Sequence, residues 1–146
     1  MKTRILLALA GLAAGLITPA FSQDELTPEI RQKIEASNQT FNEAINNHDP
    51  AACSACFVAN GVVDCPLGIF VGQQEIEKCY TKVFENFPSI SHESNKLKLL
   101  YNFGGSDVCG FVSFANSVSD GVRSIIYTPD DGTWKIKVMV QVDVNQ

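Results

Sequence analysis

The chain predicts an α+β domain: three N-terminal helices with a short hairpin, packed on an antiparallel sheet. Three observations carry that prediction. Apolar residues recur at helical spacing before Pro88 and at alternate positions after it. Thr27-Pro28 and Asp49-Pro50 each set a capping side chain directly before a proline, the punctuation of a helix start. Two tight-turn sequences, "SDG" at 119–121 and "PDDG" at 129–132, divide the second half into hairpin-linked strands.

The elements follow in order. Ile30, Ile34, Phe41 and Ile45 form one apolar stripe on a first helix, with Arg31, Gln32, Glu35, Asn42, Glu43 and Asn46 on its other faces. A short second helix opens at Asp49-Pro50, carries Cys53, Cys56 and Phe57 at i, i+3 and i+4, and is expected to end at Asn60-Gly61. "VVDCPLGIFVG" reads as strand, turn and strand. From Gln73 a third helix carries Ile76, Cys79, Tyr80, Val83 and Phe87 on one stripe, and Pro88 closes it. Four strands are expected afterwards: His92 to Tyr101, Val108 to Val118, Val122 to Thr128, and a last one from Trp134. In the second, Val108, Val112, Phe114 and Val118 share one face. In the last, Trp134, Ile136, Val138, Val140 and Val142 form the apolar side, and Met139 among the polar positions hints at a partly covered outer face.

The first residues read as an address. A basic start, Met1 to Arg4, precedes the apolar run "ILLALAGLAAGLI", and Ala20-x-Ser22 offers small residues for a signal peptidase. Residues 1–22 are expected to be a signal peptide cut after Ser22, leaving residues 23–146 as one secreted or periplasmic domain. Losing Lys2 and Arg4 takes the formal charge from −5 to −7, and no basic stripe remains. Nucleic acid is therefore an unsuitable partner, as is a membrane once the signal is cleaved.

All five cysteines, Cys53, Cys56, Cys65, Cys79 and Cys109, fall after the leader. Export makes disulfides plausible, and the odd count leaves at least one thiol over. Cys53, Cys56, Cys65 and Cys79 are the disulfide candidates. A redox reading of Cys53-x-x-Cys56 lacks the βαβ context of thioredoxin-like proteins, and a zinc reading lacks a second close pair. The stronger reading places both in the core. No Gly-rich phosphate loop, nucleophile elbow or His-x-x-x-His appears, so neither cofactor nor metal is expected.

The order of elements resembles the nuclear transport factor 2-like superfamily, in pattern its SnoaL-like and ketosteroid-isomerase-like branch. "FNEAINNHDPAACSACFVANGVV" is similar to that branch's first two helices. "VDCPLGIFVGQQEIEKCY" is similar to its strand, Pro-containing turn and third helix, and "DDGTWKIKVMV" to its entry into the last strand. The resemblance covers about residues 28–144. It implies a cone-shaped fold around an apolar pocket, and a homodimer.

Ketosteroid-isomerase-like enzymes set a carboxylate base just before the proline of the first strand; here that position is Cys65, with Asp64 one residue earlier. Their tyrosine donor matches Phe41, and the region of their second acid reads "VRSIIYTP", with none. That chemistry is therefore not carried over. The expectation is an exported SnoaL-like protein that binds a small apolar ligand or serves as a scaffold, leaning away from catalysis. Phe41, Cys65, Tyr80, Tyr101 and Tyr127 are its candidate pocket residues. The alternative is an isomerase, cyclase or dehydratase using Asp64 with a tyrosine or His92.

Overall fold

A computed structural model describes residues 26–145. The expected signal peptide lies outside the described residues. Among those residues no helix is long and apolar enough to cross a membrane.

Helix α1 spans Pro28–Asn46 and α2 spans Pro50–Ala55. Both begin as their punctuation predicts: Thr27 Oγ1 accepts from Ile30 N at 3.3 Å, and Asp49 Oδ1 accepts from Ala52 N at 2.9 Å. Helix α2 is shorter than expected. It stops at Ala55, Cys56 is its C-cap, and Phe57 already begins β1 (Phe57–Cys65), which therefore contains Asn60-Gly61. Close packing explains the glycine, since a Cβ on Gly61 would lie 2.9 Å from the Phe57 Cβ. Strand β2 (Gly68–Val71) completes the hairpin, and α3 (Gln73–Asn86) follows. The meander is β3 (Ser94–Gly104), β4 (Asp107–Ala115), β5 (Asp120–Asp130) and β6 (Thr133–Asn145).

All six strands form one sheet in the order β2-β1-β6-β5-β4-β3. Neighbours are antiparallel except β1 and β6, which run parallel, so the sheet is mixed. The α-helices supply Ile34, Phe41, Ile45, Cys53, Ile76 and Tyr80 to a continuous core against it. Burying an aliphatic side chain such as Ile34 is worth about 1.5–3 kcal/mol.

The last strand departs from its expected faces. Tyr127 pairs with Ile136 and Ile126 with Val138, so Lys137 is an extra residue in β6. This bulge reverses the alternation. Ile136 and Met139 are both fully buried, whereas Val140, Val142 and Val144 are exposed. Met139 belongs to the core, and the later valines, expected inside, lie on the outer face. Gln141 and Asp143 consequently turn inward.

Candidate functional site

The inner face of the sheet, the end of α1 and one side of α3 enclose a cavity of about 420 Å³. Its walls are mostly apolar. Ile45 comes from α1, Val63 from β1, Tyr80 and Val83 from α3, and Ile90 and Val118 from connecting segments. Cys65 and Cys79 line it side by side, and Phe87 stands at its rim. Two straps hold the connecting segments. His48 Nε2 donates to the Ile90 carbonyl at 2.5 Å while its ring stacks on Phe84, and Ser117 bridges to Ser89 and Ser91.

A polar cluster stands where β5 and β6 meet the segment before β3. Arg123 is 4% exposed and Glu93 5%, and Arg123 Nη1 donates to Glu93 Oε1. Nη1 also donates to Asn95 Oδ1 at 3.0 Å, and Nε to Gln141 Oε1 at 2.9 Å. The guanidinium lies 4.0 Å from the Phe114 ring centroid and 5.4 Å from that of Phe41. Asn116 Nδ2 donates to the second Glu93 oxygen at 2.9 Å, and Gln141 Nε2 to Asp143 Oδ1 at 2.8 Å. A buried charge survives only when so paired and bonded.

Helix α1 positions this cluster through a row of asparagines spaced four apart, beside its apolar stripe. Asn38 Oδ1 accepts from the Tyr127 hydroxyl at 2.7 Å, Asn42 Oδ1 from Asn95 Nδ2 at 2.5 Å, and Asn46 Oδ1 from the Glu93 amide at 2.7 Å. Asn38 and Asn42 are buried, so Asn42 is not the solvent-facing residue expected for it. Each ties α1 to a residue of the cluster or to the core strand beside it.

The predicted site residues separate. Cys65 and Tyr80 line the cavity. Phe41 and Tyr127 are sealed in the core behind it, Phe41 edge-on to Tyr80 and Phe57. Tyr101 is on β3, stacked on the outer-face residue Phe111. Asp64 pairs with Ile69 and Val140 on the outer face, because its neighbours Val63 and Cys65 point inward. His92 is exposed in a left-handed conformation (φ 57°), and Glu93 takes the inward position. Neither Asp64 nor His92 is among the residues lining the cavity, and the carboxylates that line it are Glu93 and Asp143. Arg123, Asn116 and Gln141 were not anticipated.

All five cysteines carry free thiols. Of the disulfide candidates, Cys65 and Cys79 are brought together, Sγ to Sγ 3.9 Å. The Cys79 thiol hydrogen-bonds the Cys65 sulfur, which pushes Cys65 down to about 7 and Cys79 up. Burial pushes Cys53 up strongly and Cys56 to about 11, leaving both poor nucleophiles. Burial likewise raises the Tyr80 phenol, which stays protonated and points at Met139 Sδ, 4.0 Å away. Among the described residues no cluster of three His, Cys, Asp or Glu has the arrangement to hold a metal.

Neither protein-family models nor curated protein sequences give a match to this chain. Solved structures do. A domain of unknown function with a cystatin-like fold from Nostoc punctiforme superposes with a TM-score of 0.69 at 15% identity, over 83% of this chain and 81% of its own. A ketosteroid isomerase-like protein from Erwinia carotovora atroseptica gives 0.68 at 17%, over 82% of this chain and 100% of its own. A nuclear transport factor 2-like protein of unknown function from Shewanella baltica gives 0.63 at 11%, over 83% and 99%. These likenesses are of fold.

Proposed function

We propose that this chain, which has the nuclear transport factor 2-like fold, binds one small, largely apolar molecule in its cavity as an exported protein. The observation that carries the reading is the cavity itself: about 420 Å³, apolar-walled, with one fixed polar cluster. Ligand sites are commonly concave, apolar and of this size, with few polar groups to orient the guest. A scaffold without a ligand has no need of such a void, because interiors otherwise pack closely.

Native mass spectrometry of protein purified from its own host tests this. A retained adduct of a few hundred daltons is expected. Only the bare chain mass, with no saturable binding of the neutral probe N-phenyl-1-naphthylamine, would overturn the reading.

An acid–base enzyme is the second reading, and the placement of Glu93 and Asp143 in the cavity favours it in a form not drawn from Asp64 or His92. Turnover of a retained ligand that Asp143→Asn abolishes, with binding intact, would select it. The outer sheet face supports a homodimer: Leu99 and Phe111 on β3 and β4, and Val122, Val140, Val142 and Val144 on β5 and β6, are all exposed.

A further inference from the structure

Arg123 donates through Nε and Nη1, but no hydrogen bond joins Nη2 to another described residue. No buried side-chain nitrogen or oxygen among those residues lacks a partner, so Nη2 is not sealed in the core. Arg123 lines the cavity. Its remaining donor therefore opens on that space, held rigid by Glu93, Gln141, Asn95 and the Phe114 ring. An arginine so buried, with one nitrogen left facing a void, is built to meet an acceptor that arrives from outside.

The charge count says which kind. The charged residues lining the cavity are Arg123, Glu93 and Asp143, a formal net charge of −1. Glu93 already neutralises the guanidinium, and Asp143 lies on the same side, bonded to Gln141. A carboxylate ligand would enter a site with no surplus positive charge and lose its own hydration. A hydrocarbon would strip water from Nη2 and leave a charged donor unpaired. A neutral oxygen acceptor avoids both costs.

We propose that the ligand is an uncharged, mainly apolar molecule with a carbonyl-type oxygen that accepts from Arg123 Nη2. This rests on the cavity-binding reading and narrows it. The apolar body lies along Val63, Val83, Ile90 and Val118, and the oxygen end meets the guanidinium.

Calorimetric titration of the folded domain with three matched probes tests it: benzophenone, diphenylmethane and diphenylacetate. Benzophenone should bind roughly 10- to 100-fold more tightly than diphenylmethane, the ratio a hydrogen bond to a charged donor supplies. Diphenylacetate should bind most weakly. In the paired variant Glu93→Gln/Arg123→Gln, which removes both charges together, the ketone's advantage should fall below about threefold while diphenylmethane binding is kept. If that variant does not fold, the three probes on the unaltered protein still decide. Equal binding of ketone and hydrocarbon, or tightest binding of the carboxylate, overturns this inference and leaves the cavity reading standing. No binding by any probe overturns both.

Discussion

Replacing Glu93 by alanine removes one half of a buried ion pair and should destabilise the domain more than any substitution on the exposed face of α1. The Arg123 side chain is 4% exposed and that of Glu93 0%, so water cannot take the missing partner's place. Breaking such a pair on one side costs about 3–5 kcal/mol. Arg123 would keep Gln141, Asn95 and two ring faces, which sets the expectation at the low end, about 3 kcal/mol. For a domain of this length that lowers Tm by roughly 10–15 °C. Removing both partners together, as Glu93→Met/Arg123→Met, leaves no uncompensated charge and should recover all but about 1 kcal/mol. Urea unfolding of the single and double variants measures each figure and the coupling between them. A loss below about 1 kcal/mol for Glu93→Ala is what exposed pairs show, and it would refute the buried cluster.

Other expectations follow from the same geometry. Cys65 should alkylate with iodoacetamide at a rate that is half-maximal near pH 7, because its thiolate is present above that pH and lost below it; Cys79→Ala should move the midpoint up toward the ordinary thiol range, and an unmoved midpoint would contradict the pairing. Mild oxidation followed by peptide mapping should link Cys65 to Cys79, whose sulfurs need approach by only about 2 Å to reach bonding distance; a Cys53–Cys56 link instead would overturn that placement. Phe41→Ala should cost about 3–5 kcal/mol by chemical denaturation, since the ring packs on Phe57, Tyr80 and Arg123. Val140→Asp should leave unfolding free energy within about 1 kcal/mol yet shift sedimentation toward the monomer, while Met139→Asp should prevent folding; equal effects would deny the bulge at Lys137.

Much of the fold was legible because local chemistry and tertiary structure agree. The two cap-then-proline starts, the closing Pro88 and the turn within 129–132 mark real boundaries, whereas the β4–β5 turn falls earlier than 119–121, at 116–119, with Asp120 and Gly121 already paired in β5. The site was less legible, for four physical reasons. In β6 the alternation "WKIKVMVQV" is regular in sequence, but one extra residue at Lys137 exchanges the faces, which no periodicity count registers. Arg123 reads as an ordinary outward charge between Val122 and Ser124. Its partner across the β4–β5 hairpin is Val112, already placed on the inner face, and that register was the available clue. The asparagines at 38, 42 and 46 share a helical spacing of four, yet polar residues so spaced usually face water. Glu93 points inward because the chain turns at His92 before β3 begins, a left-handed kink that no residue type demanded.

We expect a neutral apolar molecule to occupy the cavity beneath Val83. Fluorescence titration with N-phenyl-1-naphthylamine, run on the unaltered protein and on Val83→Trp, tests it most directly. Val83 lines the void from α3 and borders the core cluster that contains Phe41, so a larger side chain there is expected to take up ligand space. One saturable site in the unaltered protein, weakened at least about tenfold in a variant with the same Tm, is the predicted result. Equal binding by both proteins would place the probe elsewhere and contradict a ligand site in this cavity.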